Sequence, residues 1–166
     1  MLIELEPGST PVSRALVELN LPHRVVRHLN PLRSLEQAAE ERGQRHEQVV
    51  RSIVFRAASG EFFMVLVAGP AQIAWPALRQ HVGQSRLTTA TEEELVRETG
   101  STRGAVAPFA LPNPMRILID RAVLEEEEVS MGSGVQGTTI ILKTRDLLRG
   151  LPNAEIGDFV VAGRMA

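Results

Sequence analysis

Residues 49–68, VVRSIVFRAASGEFFMVLVA, constrain the fold more than any other stretch. Two runs, 49–57 and 61–68, are dominated by Val, Ile, Phe, Leu and Met, and between them lies Ser59-Gly60, a turn signal. Side chains alternate across a strand, yet both runs are apolar at odd and even positions alike. A hairpin of this kind must be covered on both faces, so these are central strands with other elements packed above and below. One residue breaks the pattern. Arg51 shares a face with Val49, Ile53 and Phe55, where an unpaired charge is costly.

The remaining pattern supplies the covering elements. Residues 10–19 have apolar positions at helical spacing behind Thr10 or Ser9 as cap and Pro11 in the first turn. Ser34-Leu-Glu-Gln37 and Thr91-Glu-Glu-Glu94 are capping boxes that open two further helices, ended by Gly43 and Gly100. Short helices are expected at 75–82 and 144–149. Strands are expected at 23–28, 116–120, near 128–131, at 138–142, and as a last edge strand after Pro152. Strands and helices mix without strict alternation, which predicts an α+β or mixed α/β chain built on one mixed sheet. A length of 166 residues fits a single domain, 1–166.

Composition excludes several classes of function. With no cysteine, there are no disulfides and no thiolate metal sites. No apolar run approaches the ~20 residues of a membrane span, and MLIELEPGSTPVSR lacks the layout of a signal peptide. A cytoplasmic protein with no membrane association is expected. A net charge of −2 argues against a non-specific nucleic-acid binder. His23, His28, His46 and His81 show no metal-ligand spacing and read as surface or half-buried imidazoles. The run Glu125–Glu128 reads as a solvated turn. No metal and no cofactor is expected, and no nucleophile-elbow, phosphate-loop or zinc-protease motif is present.

Two glycine-bearing loops remain, Gly104-Ala-Val-Ala-Pro108 and Gly132-Ser-Gly134 followed by Val-Gln-Gly137. Glycine lets backbone N–H groups approach a ligand closely, so the loops could present amides to a carbonyl or phosphate oxygen. Spacing alone favours the simpler reading, in which GSGVQG is a turn between two antiparallel strands.

Several motifs, in order, resemble the YbaK-type aminoacyl-tRNA deacylases, a domain also inserted in bacterial prolyl-tRNA synthetases. They are the alanine-rich helix Ser34-LEQAA-Glu40, the strand Val49-Val-Arg51-Ser52-Ile-Val-Phe55, the segment Gly100-Ser-Thr-Arg-Gly104-Ala105-Val106-Ala107-Pro108, and Met131-Gly132-Ser133-Gly134-Val-Gln-Gly137 leading into an apolar strand and Asp146-Leu147. The likeness runs from about residue 10 to about residue 150.

The resemblance implies a curved, largely antiparallel mixed sheet or partial barrel with helices around it. It also implies hydrolysis of the ester joining a mischarged amino acid, such as Ala or Cys, to the tRNA 3′ end. Such a second site is needed because small side chains differ by only about 1–3 kcal/mol per methylene in binding. By the same resemblance Arg51, Gly104 and Gly134 are the catalytic positions. Ser52, Ala105, Ala107, Pro108, Gly132 and Ser133 bind substrate, with no metal. Attack comes from the substrate's 2′-hydroxyl, a cysteine thiol or a held water. Partners are mischarged aminoacyl-tRNA and an aminoacyl-tRNA synthetase for delivery, with Arg24, Arg27, Arg33, Arg45 and Arg103 as candidate tRNA contacts.

The sequence departs from the family pattern in three places. Ser133 replaces one glycine of a pair and Ala107 stands where serine is common. Arg51 stands where lysine is common, in a chain with seventeen arginines and one lysine. Arginine is planar, forked and always charged, so it can position substrate but is a poor proton shuttle. A non-catalytic binding module of the same fold, or a hydrolase of another small acyl ester, are the alternatives.

Overall fold

The structure, a computed structural model, describes residues 1–162, so the last four residues of the 1–166 domain lie outside the described residues. In chain order the elements are β1 (Leu2–Leu5), α1 (Pro11–Glu18), β2 (Arg24–His28), α2 (Leu35–Glu41), β3 (Val50–Ala57), β4 (Phe62–Ala68), α3 (Trp75–Val82), β5 (Leu87–Thr89), α4 (Glu92–Thr99), β6 (Arg116–Asp120), β7 (Glu128–Gly132), β8 (Thr138–Lys143), α5 (Thr144–Gly150) and β9 (Glu155–Gly157). Single turns of 3₁₀ helix at His46–Gln48 and Arg121–Glu125 lead into β3 and β7.

The α+β class matches the expectation, but the single mixed sheet divides in two. One sheet has the order β1-β2-β8-β7 and is antiparallel throughout; the other has the order β5-β3-β4-β6-β9, with β4-β6 and β6-β9 parallel. A parallel bridge between Val49 and Ser130 joins them. Short β1 and β5 escape sequence reading because four and three residues carry no usable period.

The hairpin is doubly covered, as its composition demands. The even residues Val50 and Val54 join Met64, Leu66 and Ala68 in a core between the sheets, with Val129, Met131, Ile140 and Leu142 opposite. Phe55, Phe63, Val65 and Val67 face the other way, into a second core with Leu78 of α3, Leu118 and Phe159. Phe55 stacks on Phe63 at 5.5 Å and meets Trp75 edge-on at 5.3 Å, arrangements worth about 0.5–1.5 kcal/mol each beyond burial.

Both predicted caps form. Ser34 Oγ accepts from Gln37 N–H, though the Gln37 side chain accepts from Arg33 N–H, one residue outside the expected box. Thr91 and Glu94 bond reciprocally. The Thr91 N–H is the leading cause that lowers Glu94, with the Arg56 guanidinium adding to it.

The tail strand β9 is held to β6 by Arg116, whose guanidinium grips Glu155 through Nε (2.5 Å) and Nη2 (2.8 Å). The Arg116 hydrogen bond is the main reason Glu155 falls from the usual 4.5 to about 2, and His81 adds to it. A carboxylate depressed by folding stabilises the protein above its unfolded value and loses that contribution as pH falls through the folded one. Glu155→Gln is therefore expected to flatten the fall in melting temperature between about pH 4.5 and 2 and to lower it slightly at pH 7. An unchanged acid profile in scanning calorimetry would refute the latch.

Candidate functional site

The site begins with an incomplete strand pairing. Ala90 N–H donates to Val54 O at 2.9 Å, so even-numbered backbone groups of β3 point away from β4. Strand β5 occupies that side only along Phe55–Ala57, and the bridge to Ser130 only at Val49. Between them Ser52 has no strand partner on its outer side. The edge opens into a cavity of about 520 Å³, within the ~300–1,000 Å³ usual for small-molecule sites.

Because the edge is open, six consecutive residues, Val49–Val54, line the cavity from both strand faces. Leu35, Ala38 and Arg42 come from α2 and its end, Leu95 from α4, Arg103, Gly104 and Val106 from the irregular loop, and Met131, Gly132 and Thr139 from β7 and β8. Three arginines are among the lining residues, and none of the lining residues is Asp, Glu, His, Lys or Cys.

Arg51 is half-buried and does not point into bulk water. Its Nε donates to Gly69 O at 2.7 Å and its Nη2 to Ala71 O, so it clamps the turn after β4. Among the described residues no carboxylate pairs with it, and the other three of its five N–H donors have no protein partner. Burial lowers its pKa. The expense noted in the sequence is thus offset by carbonyl dipoles, with donors left over. Ser52 Oγ is buried and has no hydrogen-bond partner. Gly104 N–H likewise has no acceptor among the described residues.

Four of the nine expected site residues therefore meet at the cavity: Arg51, Ser52, Gly104 and Gly132. The other five do not line it. Gly134, expected as an amide donor, gives its N–H to Ala105 O at 2.8 Å, and at φ +89 it packs against the Pro11 ring. Ser133 is fully buried, and its hydroxyl closes its own turn on Val135 O and Thr138 O. Ala105 and Ala107 are buried at 1% and 3% exposure, and Pro108 beside them is buried too. These three support the wall. Gly132 explains how: a Cβ there would lie 2.5 Å from both Ala105 C and Val106 O, so the loop rests on β7 only because the side chain is absent. The second glycine loop is thus both a turn and a wall.

Arg42 and the buried His28 behind it were not anticipated. Single-sequence spacing could not separate Arg42 from sixteen other arginines, although the Gly43 stop places it at the inner end of α2. Of the candidate tRNA contacts, Arg24 pairs with Glu4 (2.6 Å), Arg45 with Glu126, and Arg103 lies 3.6 Å from Glu92, whereas Arg27 and Arg33 have no ion pair among the described residues. Ser13 Oγ lies 2.6 Å from His23 Nε2, but Ser13 is fully buried and outside the cavity, so this pair is a staple and not a nucleophile. No group of three or more metal-ligating side chains occurs among the described residues, and no described helix is long and apolar enough to cross a membrane.

Comparison with known proteins fits this geometry. The aminoacyl-tRNA editing domain family matches residues 30–149. The multifunctional Ser/Thr-tRNA deacylase ProXp-y of Escherichia coli K12 is 26% identical over 155 residues, covering 89% of this chain and 92% of its own. A proline–tRNA ligase of Streptococcus pneumoniae is 27% identical over 128 residues, 76% of this chain but only 20% of the ligase. A crystal structure of a proposed trans-editing enzyme for prolyl-tRNA synthetase superposes with a TM-score of 0.85 at 26% identity, over 95% of this chain and 99% of that one. With the family model matched over most of its length and its fold shared with an editing-enzyme structure, the chain belongs to the aminoacyl-tRNA editing domain family.

Proposed function

We propose that this protein hydrolyses the ester of aminoacyl-tRNA charged with a small, wrong amino acid, acting as a free-standing editing enzyme. The observation that carries the reading is the cavity itself: its lining includes three arginines, the unpartnered Ser52 hydroxyl and Gly104, whose N–H has no acceptor among the described residues, and it includes no carboxylate. Such a lining suits a reaction whose charge develops on oxygen. Water, or the neighbouring 2′-hydroxyl, adds to the ester carbonyl. The carbonyl oxygen takes up negative charge, and the C–O bond to the tRNA then breaks to release the amino acid. Arg51, through its remaining donors, and Gly104 N–H are the groups proposed to stabilise that charge, each preorganised donor being worth about 10²–10³ in rate. Ser52 Oγ, unpartnered and buried, is proposed to hold the substrate.

Ala and Cys are the acyl groups expected from the sequence; Ser and Thr are those in the E. coli relative's name. The test is a panel of tRNAs carrying Ala, Cys, Ser and Thr, with ester loss followed over time. Acceleration on at least one is expected, and no acceleration on any would overturn the proposal. That result would favour the non-catalytic binding module. Because no lining side chain titrates near neutrality, log kcat/KM on an N-acetylated aminoacyl-tRNA, whose α-amino group no longer titrates, is expected to rise steadily with pH from 5.5 to 8. An inflection in that range on the acetylated substrate would mean a protein base takes part.

A further inference from the structure

Arg42 follows the last turn of α2 and reaches the cavity wall under β7 and β8. Its Nε donates to Gln44 Oε1 (3.1 Å), Nη1 to His28 Nε2 (2.9 Å) and Thr139 Oγ1 (3.4 Å), and Nη2 to Ser130 Oγ (3.1 Å). None of these partners is a carboxylate. A guanidinium has five N–H donors; four are engaged, which leaves one on Nη2. Burial pushes the group down to about 10. A buried cation without an anion is expensive to keep.

The neighbouring acid is directed elsewhere. Glu41 Oε1 lies 3.1 Å from Nδ1 of His28, which is 6% exposed. A guanidinium can only donate, so His28 Nε2 accepts from Arg42 and His28 Nδ1 is the nitrogen that donates to Glu41, a bond that also lowers the Glu41 pKa. Nε2 then holds a lone pair, and that lone pair accepts from Arg42. The sequence Glu41–His28–Arg42 orients the guanidinium without neutralising it by contact.

We infer that Arg42 is a specificity-determining residue: its remaining N–H reads a hydroxyl oxygen on the acyl side chain, so the cavity selects hydroxylated small amino acids over apolar ones of equal size. His28 and Glu41 are positioning residues for it. This rests on the function proposed above. A carboxylate side chain is the poorer match, because bidentate recognition needs two parallel N–H groups and each edge of the Arg42 fork already has a donor engaged. The tRNA phosphates are the poorer match too. Arg42 stands among Leu35, Ala38, Met131 and Thr139, whereas the exposed Arg103 is the cation available to a backbone. An apolar side chain would leave the buried donor unpaired, which is how a polar pocket rejects a near-isostere.

The decisive pair is Thr and Val, equal in shape and different in the hydroxyl. Wild-type kcat/KM is expected to favour Thr-tRNA over Val-tRNA by about 10–10²-fold, the effect of leaving one buried donor unpaired, and Ser over Ala in the same direction. Arg42→Met should bring the Thr/Val ratio towards one. Should that variant fail to fold, Glu41→Leu, at a side chain outside the cavity, is expected to cut the same ratio by releasing the His28 tautomer. Loss of stability alone would lower both rates together and leave the ratio standing. A binding arm separates this inference from the function: calorimetry with 3′-amide-linked threonyl- and valyl-adenosine, which cannot be hydrolysed. Tighter threonyl binding without hydrolysis of any tRNA would overturn the function and keep Arg42. Hydrolysis with a Thr/Val ratio near one, or a ratio unmoved by both variants, would overturn Arg42's role.

Discussion

Gly132→Ala is expected to inactivate the protein and to destabilise it by roughly 2–3 kcal/mol, the upper range for overpacking a tight site. The added methyl would sit 2.5 Å from Ala105 C and Val106 O and 2.6 Å from Ala105 O. All three are backbone atoms, so no rotamer change relieves the clash. The loop must lift from β7 by about an ångström, and the wall carrying Gly104 and Val106 moves with it. Misplacement on that scale costs on the order of 10² in rate. Gly137→Ala is the control. It has φ +75 with nothing within 4 Å of the new methyl, so it should cost about 1 kcal/mol of left-handed strain and leave turnover nearly intact. Urea unfolding and single-turnover deacylation on both variants decide the matter. Equal activity losses would mean that the loop–strand contact is unimportant.

Arg51→Met carries the other large expectation, a fall in kcat/KM of about 10²–10³, the usual result of deleting one preorganised donor. Methionine keeps much of the apolar stem but leaves Gly69 O and Ala71 O without their donor, so a stability loss of about 1–3 kcal/mol should accompany it. The two effects separate by assay temperature. A purely structural role predicts recovery of rate well below the melting point, whereas a role in the reaction predicts a deficit at every temperature. Arg51→Lys should restore stability only in part, because one ammonium cannot serve both carbonyls and the cavity. Turnover of Arg51→Met within tenfold of wild type would remove the guanidinium from the reaction.

The hairpin shows what was legible in advance and why. Val49 to Ala68 is apolar on both faces, and a chain has few ways to bury such a pair, so the central strands, the turn and the double covering could be read directly. Thr10, Ser34 and Thr91 marked helix starts because capping is local chemistry. The division into two sheets was hidden, since it depends on where β3 leaves β5 for Ser130, a pairing eighty residues distant. The site divided along the same line. Arg51 stood out as a charge among apolar neighbours, and Gly104 and Gly132 by resemblance. The commitment of Gly134 N–H to Ala105 O, and the Glu41–His28–Arg42 chain across α2, β2, β7 and β8, are tertiary facts with no local trace.

An unpaired strand edge is normally a hazard, because a second molecule can add its own strand there and begin aggregation. Here the open stretch around Ser52 lies in a cavity walled by residues of α2, α4 and the 100–108 loop rather than on an outer face of the sheet. The walls that enclose the cavity therefore also cover the unpaired edge. Any change that widens the mouth to accept bulkier substrates would expose the sheet to self-association, which sets a limit on how far this pocket can be enlarged.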